Sequence, residues 1–198
     1  MLTFIHELRP MTNQSKYWFL TLFSVILCHI FSNGQTYVCA DGHVVFKSEA
    51  PLEVIVAESR TLRGVIDSDQ NSFAFSIDMQ SFNGFNSPLQ RVHFNENYLE
   101  SDRYRTANFT GKIIEPIDYT VQGTYTVRAK GTFNIHGIRK ERIIKGQLKV
   151  NEDDLSIESA FVVLLDDHDI KIPKIVNQKI AKEIKVEMQA RLIIEDTK

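Results

Sequence analysis

Residues 119–135, YTVQGTYTVRAKGTFNI, alternate without a break: every odd position is apolar or Gly and every even position is polar. A period of two defines a β-strand with one dry face and one wet face. Seventeen such residues at about 3.3 Å each would span roughly 55 Å. A compact domain of this size has a radius of gyration of only about 15 Å. The strand therefore has to bend. Gly123 and Gly131, both on the dry face, are where a barrel strand turns a corner.

The pattern recurs along the chain. Phe73, Phe75, Ile77 and Met79 alternate with polar residues, as do Ala107, Phe109, Gly111 and Ile113. Ile144 to Val150 and Val186 to Leu192 do the same, and residues 155–165 begin by alternating and then turn apolar on both faces. Shorter candidates lie at 36–40, 43–48 and 60–66, while 51–57 reads as a strand or a helical turn. About eight strands with short connections predict a mainly β fold, a closed antiparallel β-barrel. Two short amphipathic helices accompany it. One starts at Ser87-Pro88, an N-cap followed by Pro, with Leu89, Val92, Glu96 and Leu99 on one side. The other starts at Pro173, where Ile172, Val176, Ile180 and Ile184 recur every four residues.

An eight-stranded barrel is either filled by its side chains or hollow enough for one guest. Inward positions include Gly111, Gly123, Ala129, Gly131, Gly146 and Ala190, which remove volume from the middle. The remainder are large and apolar: Phe73, Phe75, Ile77, Phe109, Val121, Tyr125, Val127, Phe133, Phe161 and Met188 are expected to line an uncharged tunnel. The competing reading is that the glycines only relieve strain and aromatic rings fill the gaps.

Residues 17–31, YWFLTLFSVILCHIF, form an apolar run preceded by Lys16 and followed by Ser32-Asn33-Gly34. That is the layout of a secretory signal, shorter than the roughly 20 residues a spanning helix needs. Cleavage before Gln35 is expected, leaving 35–198 as one domain, periplasmic or secreted, with no integral span; translation starts at Met1 or Met11. The segment carries Glu7, Arg9 and Lys16, so its loss takes the net charge from -2 to -3. That balance argues against nucleic-acid binding. Cys28 lies in the run behind Leu27, not behind the small residue a lipoprotein signal requires, and only Cys39 remains afterwards. Packing alone must then hold the fold.

Several stretches resemble the YceI-like family of secreted bacterial proteins. They are Ser81-Phe82 at a strand end, His93-Phe94 with Tyr98-Leu99 on a helix, Tyr104 through Gly111, and Gly131 through Gly137. The resemblance runs over residues 43–194, with Arg105 where the family usually has Pro. It implies a lipocalin-like barrel, and some members hold a polyisoprenoid chain. The expectation is a binding protein for a long-chain lipid or isoprenoid, not an enzyme.

No cofactor or metal is expected: His93, His136 and His168 lack close ligand spacing and no Cys cluster exists. His136 reads as a backbone hydrogen-bonding partner at the barrel rim, and Asp166-Asp167-His168-Asp169 as a solvated turn. Arg103, Arg105 and Lys112 are candidates for a phosphate headgroup, against exposed charge as the simpler reading. Two rival functions follow from the same residues, an envelope enzyme using His93 with Glu96 and a small outer-membrane barrel. A homodimer sharing barrel mouths is compatible with the pattern.

Overall fold

The computed structural model describes residues 34–195. The expected leader, with Cys28, lies outside them except for Gly34. Eight strands follow one another in space in the order of the sequence and close into one barrel. They are β1 (Thr36–Glu49), β2 (Val54–Asp67), β3 (Ser72–Asp78), β4 (Thr106–Ile113), β5 (Gly123–Ile135), β6 (Ile138–Val150), β7 (Asp154–Leu164) and β8 (Glu183–Ile194). Each neighbouring pair is antiparallel, including β8 with β1. The candidates 36–40 and 43–48 are one strand, β1, with its register broken on either side of Gly42. The ambiguous 51–57 stretch supplies the start of β2.

Alternation becomes burial as the period demands. In β3, Phe73, Phe75 and Ile77 are buried; in β5, Val127 and Phe133 are, while Thr124, Thr126, Arg128 and Lys130 are exposed. Apart from Ile143 and Ile193, the outward faces of β6 and β8 carry Lys145, Gln147 and Lys149, then Lys185, Glu187, Gln189 and Arg191. A membrane-spanning barrel needs an apolar outer band instead. These outward residues are charged or polar. No helix among the described residues is long and apolar enough to cross a membrane.

Three sequence expectations change. First, the long strand starts at Gly123, not at Tyr119. Asp118 turns the chain: its carboxylate accepts from the Thr120 amide at 3.0 Å and its carbonyl from the Val121 amide at 3.2 Å. Local side-chain bonds of this kind outcompete a ladder. Second, the segment after Pro173 forms only a single tight turn, Lys174–Val176. The Ala181 amide, which a helix would use internally, donates to Ser48 Oγ at 2.9 Å, and the Gln178 carbonyl accepts from Leu52 at 2.9 Å. Ile184 is drawn into β8 by pairing with Ser48 and Val163. Third, Gly111 and Gly131 face each other across β4 and β5 and do not leave empty space. A Cβ on Gly131 would stand 2.8 Å from the Thr110 carbonyl carbon and 2.9 Å from Gly111 Cα. These two glycines let backbones approach; the room in the barrel has another source.

The first helix forms as expected but is short. Ser87 Oγ accepts from the Gln90 amide at 3.2 Å, Pro88 opens α1 (Pro88–His93), and a wider turn continues over Phe94–Tyr98. That wider turn changes the helical phase. Leu99 and Phe94 join the core, whereas Leu89 and Val92 stay exposed.

One seam of the barrel is only partly closed. β6 and β7 pair only from Gly146↔Ser159 to Val150↔Leu155. Above that, residues 138–145 and 160–164 are bridged by side chains. Ser159 Oγ donates to the Lys145 carbonyl at 2.7 Å, and Arg142 Nη2 donates to the Val162 carbonyl at 2.7 Å. The upper part of β2 is covered by the loop before α1, through Glu58↔Asn83 and the Asn86 amide group on the Val54 carbonyl.

Candidate functional site: an apolar cavity with one open end

Strand direction fixes the two ends of the barrel. The β2–β3, β4–β5 and β6–β7 connections lie at one end. At the other lie the β1–β2 turn, α1, the β5–β6 turn and the 165–182 segment. The first end is sealed. Tyr37 and Tyr119 stack at 6.1 Å, and Tyr119 Oη donates to Asn71 Oδ1 at 2.7 Å. The Asn71 amide group then donates to the Ile113 and Glu115 carbonyls, at 3.0 and 2.8 Å. Burial pushes the Tyr119 phenol up to about 12, so it stays a neutral donor throughout the physiological range. Ile66, Leu148, Leu155 and Leu192 are fully buried.

Between that plug and the other end lies a cavity of about 450 Å³. Aromatic rings pave it in two groups. One is an arc along the wall, Phe73–Phe109–Phe133–Phe161, with successive centroids 4.9, 6.1 and 6.1 Å apart. The other stands at the mouth, where Phe46 packs on Phe82, Phe85 and Phe94 at 5.3, 5.9 and 5.4 Å. Tilted and edge-on contacts at these spacings are the favoured aromatic geometry. The rings line the space without filling it.

Of the ten residues expected to line the tunnel, eight stand on the cavity wall: Phe73, Phe75, Ile77, Phe109, Val127, Phe133, Phe161 and Met188. Val121 does not. It lies in the Asp118 turn and is 52% exposed. Tyr125 is also off the wall, its hydroxyl donating to the Val121 carbonyl at 2.9 Å. Ala129 and Gly146 do reach the cavity. The mouth phenylalanines escaped the period-two reading because Phe82, Phe85 and Phe94 sit in loop and helix; only the aromatic richness of 82–94 hints at them.

None of the three expected headgroup cations reaches the cavity. Arg105 donates twice to Asp78, at 3.0 and 3.1 Å. Arg103 lies over the Tyr104 ring at 4.9 Å. Lys112 pairs with Ser72 near the sealed end. The cations that do border it are Lys145, beside the β6–β7 seam, and Lys179, at the mouth.

The histidines hold structure. His136, at positive φ in the β5–β6 turn, donates through Nδ1 to the His168 carbonyl at 3.0 Å. His168 is fully buried against Phe133, its Nδ1 3.3 Å from the Ile138 carbonyl, so the acidic turn is solvated only at its aspartates. His93 borders the mouth, and no hydrogen bond joins it to Glu96 among the described residues. No cluster of three metal-ligating side chains occurs among them either.

An eight-stranded closed barrel, hollow and greasy, with one aromatic mouth is the geometry that the motifs at Ser81-Phe82, His93-Phe94 and Gly131–Gly137 led to expect. The sequence profile of the YceI-like domain matches residues 43–192. The chain belongs to the YceI-like family. Solved structures share its fold. A polyisoprenoid-binding domain from Saccharophagus degradans, implicated in plant cell wall breakdown, superposes with a TM-score of 0.68 at 14% identity, over 82% of this chain and all of that one. Burkholderia cenocepacia BcnA gives 0.63 at 13% identity over 76% and 95%, and the Campylobacter jejuni YceI protein 0.53 at 13% over 71% and 84%. No curated protein sequence matches significantly. The YceI-like barrel thus survives extensive sequence change, as a fold set by alternation and closure would.

Proposed function

We propose that this YceI-like barrel is a non-catalytic carrier, periplasmic or secreted once its leader is cleaved before Gln35, that holds one long-chain lipid or isoprenoid in its lumen. The observation that carries this reading is the cavity itself. Its wall is aromatic and aliphatic from four sides, it is sealed by the Tyr37–Tyr119 plug, and it opens past Phe46, Phe82, Phe85 and Phe94. Each 100 Å² of apolar guest surface buried there contributes about 2.5 kcal/mol. A chain several isoprene units long therefore needs no polar hook. The isoprenoid class is supported by what the Saccharophagus degradans domain is described as binding. An envelope enzyme draws no support from His93, whose ring has no carboxylate hydrogen-bonded to it among the described residues.

Native mass spectrometry of protein purified from its own envelope, followed by solvent extraction, tests the reading. The expected result is one co-purifying lipid per chain. Ala129→Phe, which projects a ring from the middle of β5 into the cavity, should fold normally and lose that lipid. Repeated recovery of empty protein from the native envelope, or full lipid content in Ala129→Phe, would overturn it.

A further inference from the structure

The open end of the barrel carries a feature that lipid storage alone does not require. Three separate short segments surround the mouth, and each holds an apolar side chain out into water. Leu52 in the β1–β2 turn is 66% exposed, Leu89 on α1 60%, and Ile175 in the turn after Pro173 91%. Val92, on the same helix as Leu89, is exposed as well. The segments form one continuous arc. Leu52 donates its amide to the Gln178 carbonyl on one side, and on the other Glu53 accepts from the Gln90 side chain of α1 at 2.5 Å. Neighbours of these residues, Glu53, Gln90, Val176 and Ile180, border the cavity, so the exposed side chains ring its opening.

Charge on the stretch 170–182 is one-sided, although Asp166, Asp167, Asp169 and Glu183 flank it. Beyond Asp169, the charged residues of the 170–182 segment are Lys171, Lys174, Lys179 and Lys182. Lys171 faces Asp169 at 3.5 Å; Lys174, Lys179 and Lys182 have no carboxylate partner among the described residues. Glu49 is paired with Lys47 and Lys185, while Glu53, held only by the neutral Asn86 and Gln90 amide groups, keeps its charge. Protruding single leucines and isoleucines interspersed with unpaired lysines, on narrow turns and not on a flat face, match a lipid interface: acyl chains take the apolar tips and anionic headgroups the ammonium groups.

We infer that the rim formed by Leu52, Leu89, Val92, Ile175, Lys174 and Lys179 is a docking surface for an anionic phospholipid bilayer, which seats the barrel mouth-down on the membrane. The role rests on the carrier reading above: a guest insoluble in water is exchanged where the open mouth touches a bilayer, not through solution.

The test uses residues 35–198, which contain every strand of the closed barrel. The protein is sedimented with vesicles of phosphatidylcholine alone and of phosphatidylcholine with one third phosphatidylglycerol. Binding should favour the anionic vesicles and weaken with salt. Lys174→Gln with Lys179→Gln should lower it by about thirtyfold, and Leu52→Ser, Leu89→Ser and Ile175→Ser together by at least about tenfold. Val121→Ser is the control, an apolar residue 52% exposed at the sealed end, and should change nothing. Absence of sedimentation with either vesicle, an equal loss in Val121→Ser, or a rim that proves to be a contact between two copies by analytical ultracentrifugation would overturn the inference. Lipid content measured before vesicles are added separates the two proposals. Empty barrels that bind vesicles through the rim would sink only the carrier reading, and loaded barrels that ignore vesicles only the docking surface.

Discussion

Gly131→Ala should unfold the barrel far more readily than its single methyl suggests. The new Cβ would lie 2.8 Å from the Thr110 carbonyl carbon, and both obstacles, Thr110 and Gly111, are backbone. Carbon atoms sit comfortably at about 3.5 Å or beyond, so β4 and β5 must part by at least about 0.7 Å. A ladder hydrogen bond of about 2.9 Å stretched by that amount no longer counts as one. The two flanking bonds of the Gly111–Gly131 pair are at stake, at about 1–3 kcal/mol each when their groups are left in the wall. A net loss of about 3 kcal/mol is the working figure, equivalent to a fall of about 6–12 °C in Tm for a domain of this size. Gly123→Ala, on the same strand, is the counterpart. There the nearest atoms are in the Tyr125 ring at 3.7–3.8 Å, an ordinary contact. That variant should be neutral or gain up to about 1 kcal/mol, since Ala narrows the unfolded ensemble. Urea unfolding followed by tryptophan-independent far-UV circular dichroism gives both values. Equal midpoints for the two variants would refute the close-approach argument.

The half-open β6–β7 seam predicts uneven hydrogen exchange. Alternate amides between 139 and 145, those turned toward β7, should exchange faster than those between 146 and 150; uniform protection along β6 would mean the seam is zipped in solution. His168 makes stability pH-dependent. Burial holds its imidazole below the ordinary 6.5, so its contribution is complete above that pH and drains as pH falls through the lower folded value. His168→Leu should therefore flatten the stability profile just below pH 6.5, read from urea midpoints at successive pH values. Asp154 works in a more acidic window. Hydrogen bonds from Asn151 and Arg191 hold its carboxyl below 3.8, and its stabilisation is present above that value and lost as pH falls through the folded one. Asp154→Asn should cost about 1–2 kcal/mol at neutral pH, discounted for the exposed Arg191, and nothing below the folded value. An unchanged difference between the two proteins at acid pH would contradict the ion-pair origin.

Much of the barrel was legible because burial and alternation are the same fact seen twice. Phe73, Phe75 and Ile77 face inward wherever β3 sits in the sheet, since one face must leave water. The same logic failed where a competing hydrogen bond outbid the period. Asp118 folded Tyr119 and Val121 out of their strand, and Ser48 took the Ala181 amide that a helix after Pro173 needed. The second partner does not stand out in the sequence, because the pairing of Ser48 with Ala181 spans 133 residues.

The sequence by itself determined long one-sided strands, because a period of two puts every apolar side chain on a single face that has to leave water. It did not determine that the lumen is hollow. Gly111 and Gly131, which looked like the source of space, serve a backbone contact, and the opening exists because the aromatic rings of 73, 109, 133 and 161 lie along the wall instead of across it. Which end is open was equally a tertiary decision. Tyr119 closes one end by finding Asn71 in the neighbouring connection before β3, while the turn at Leu52, helix α1 and the segment after Pro173 meet only at the other. Contacts between residues so far apart in sequence depend on the closure of all eight strands, and no local pattern encodes them.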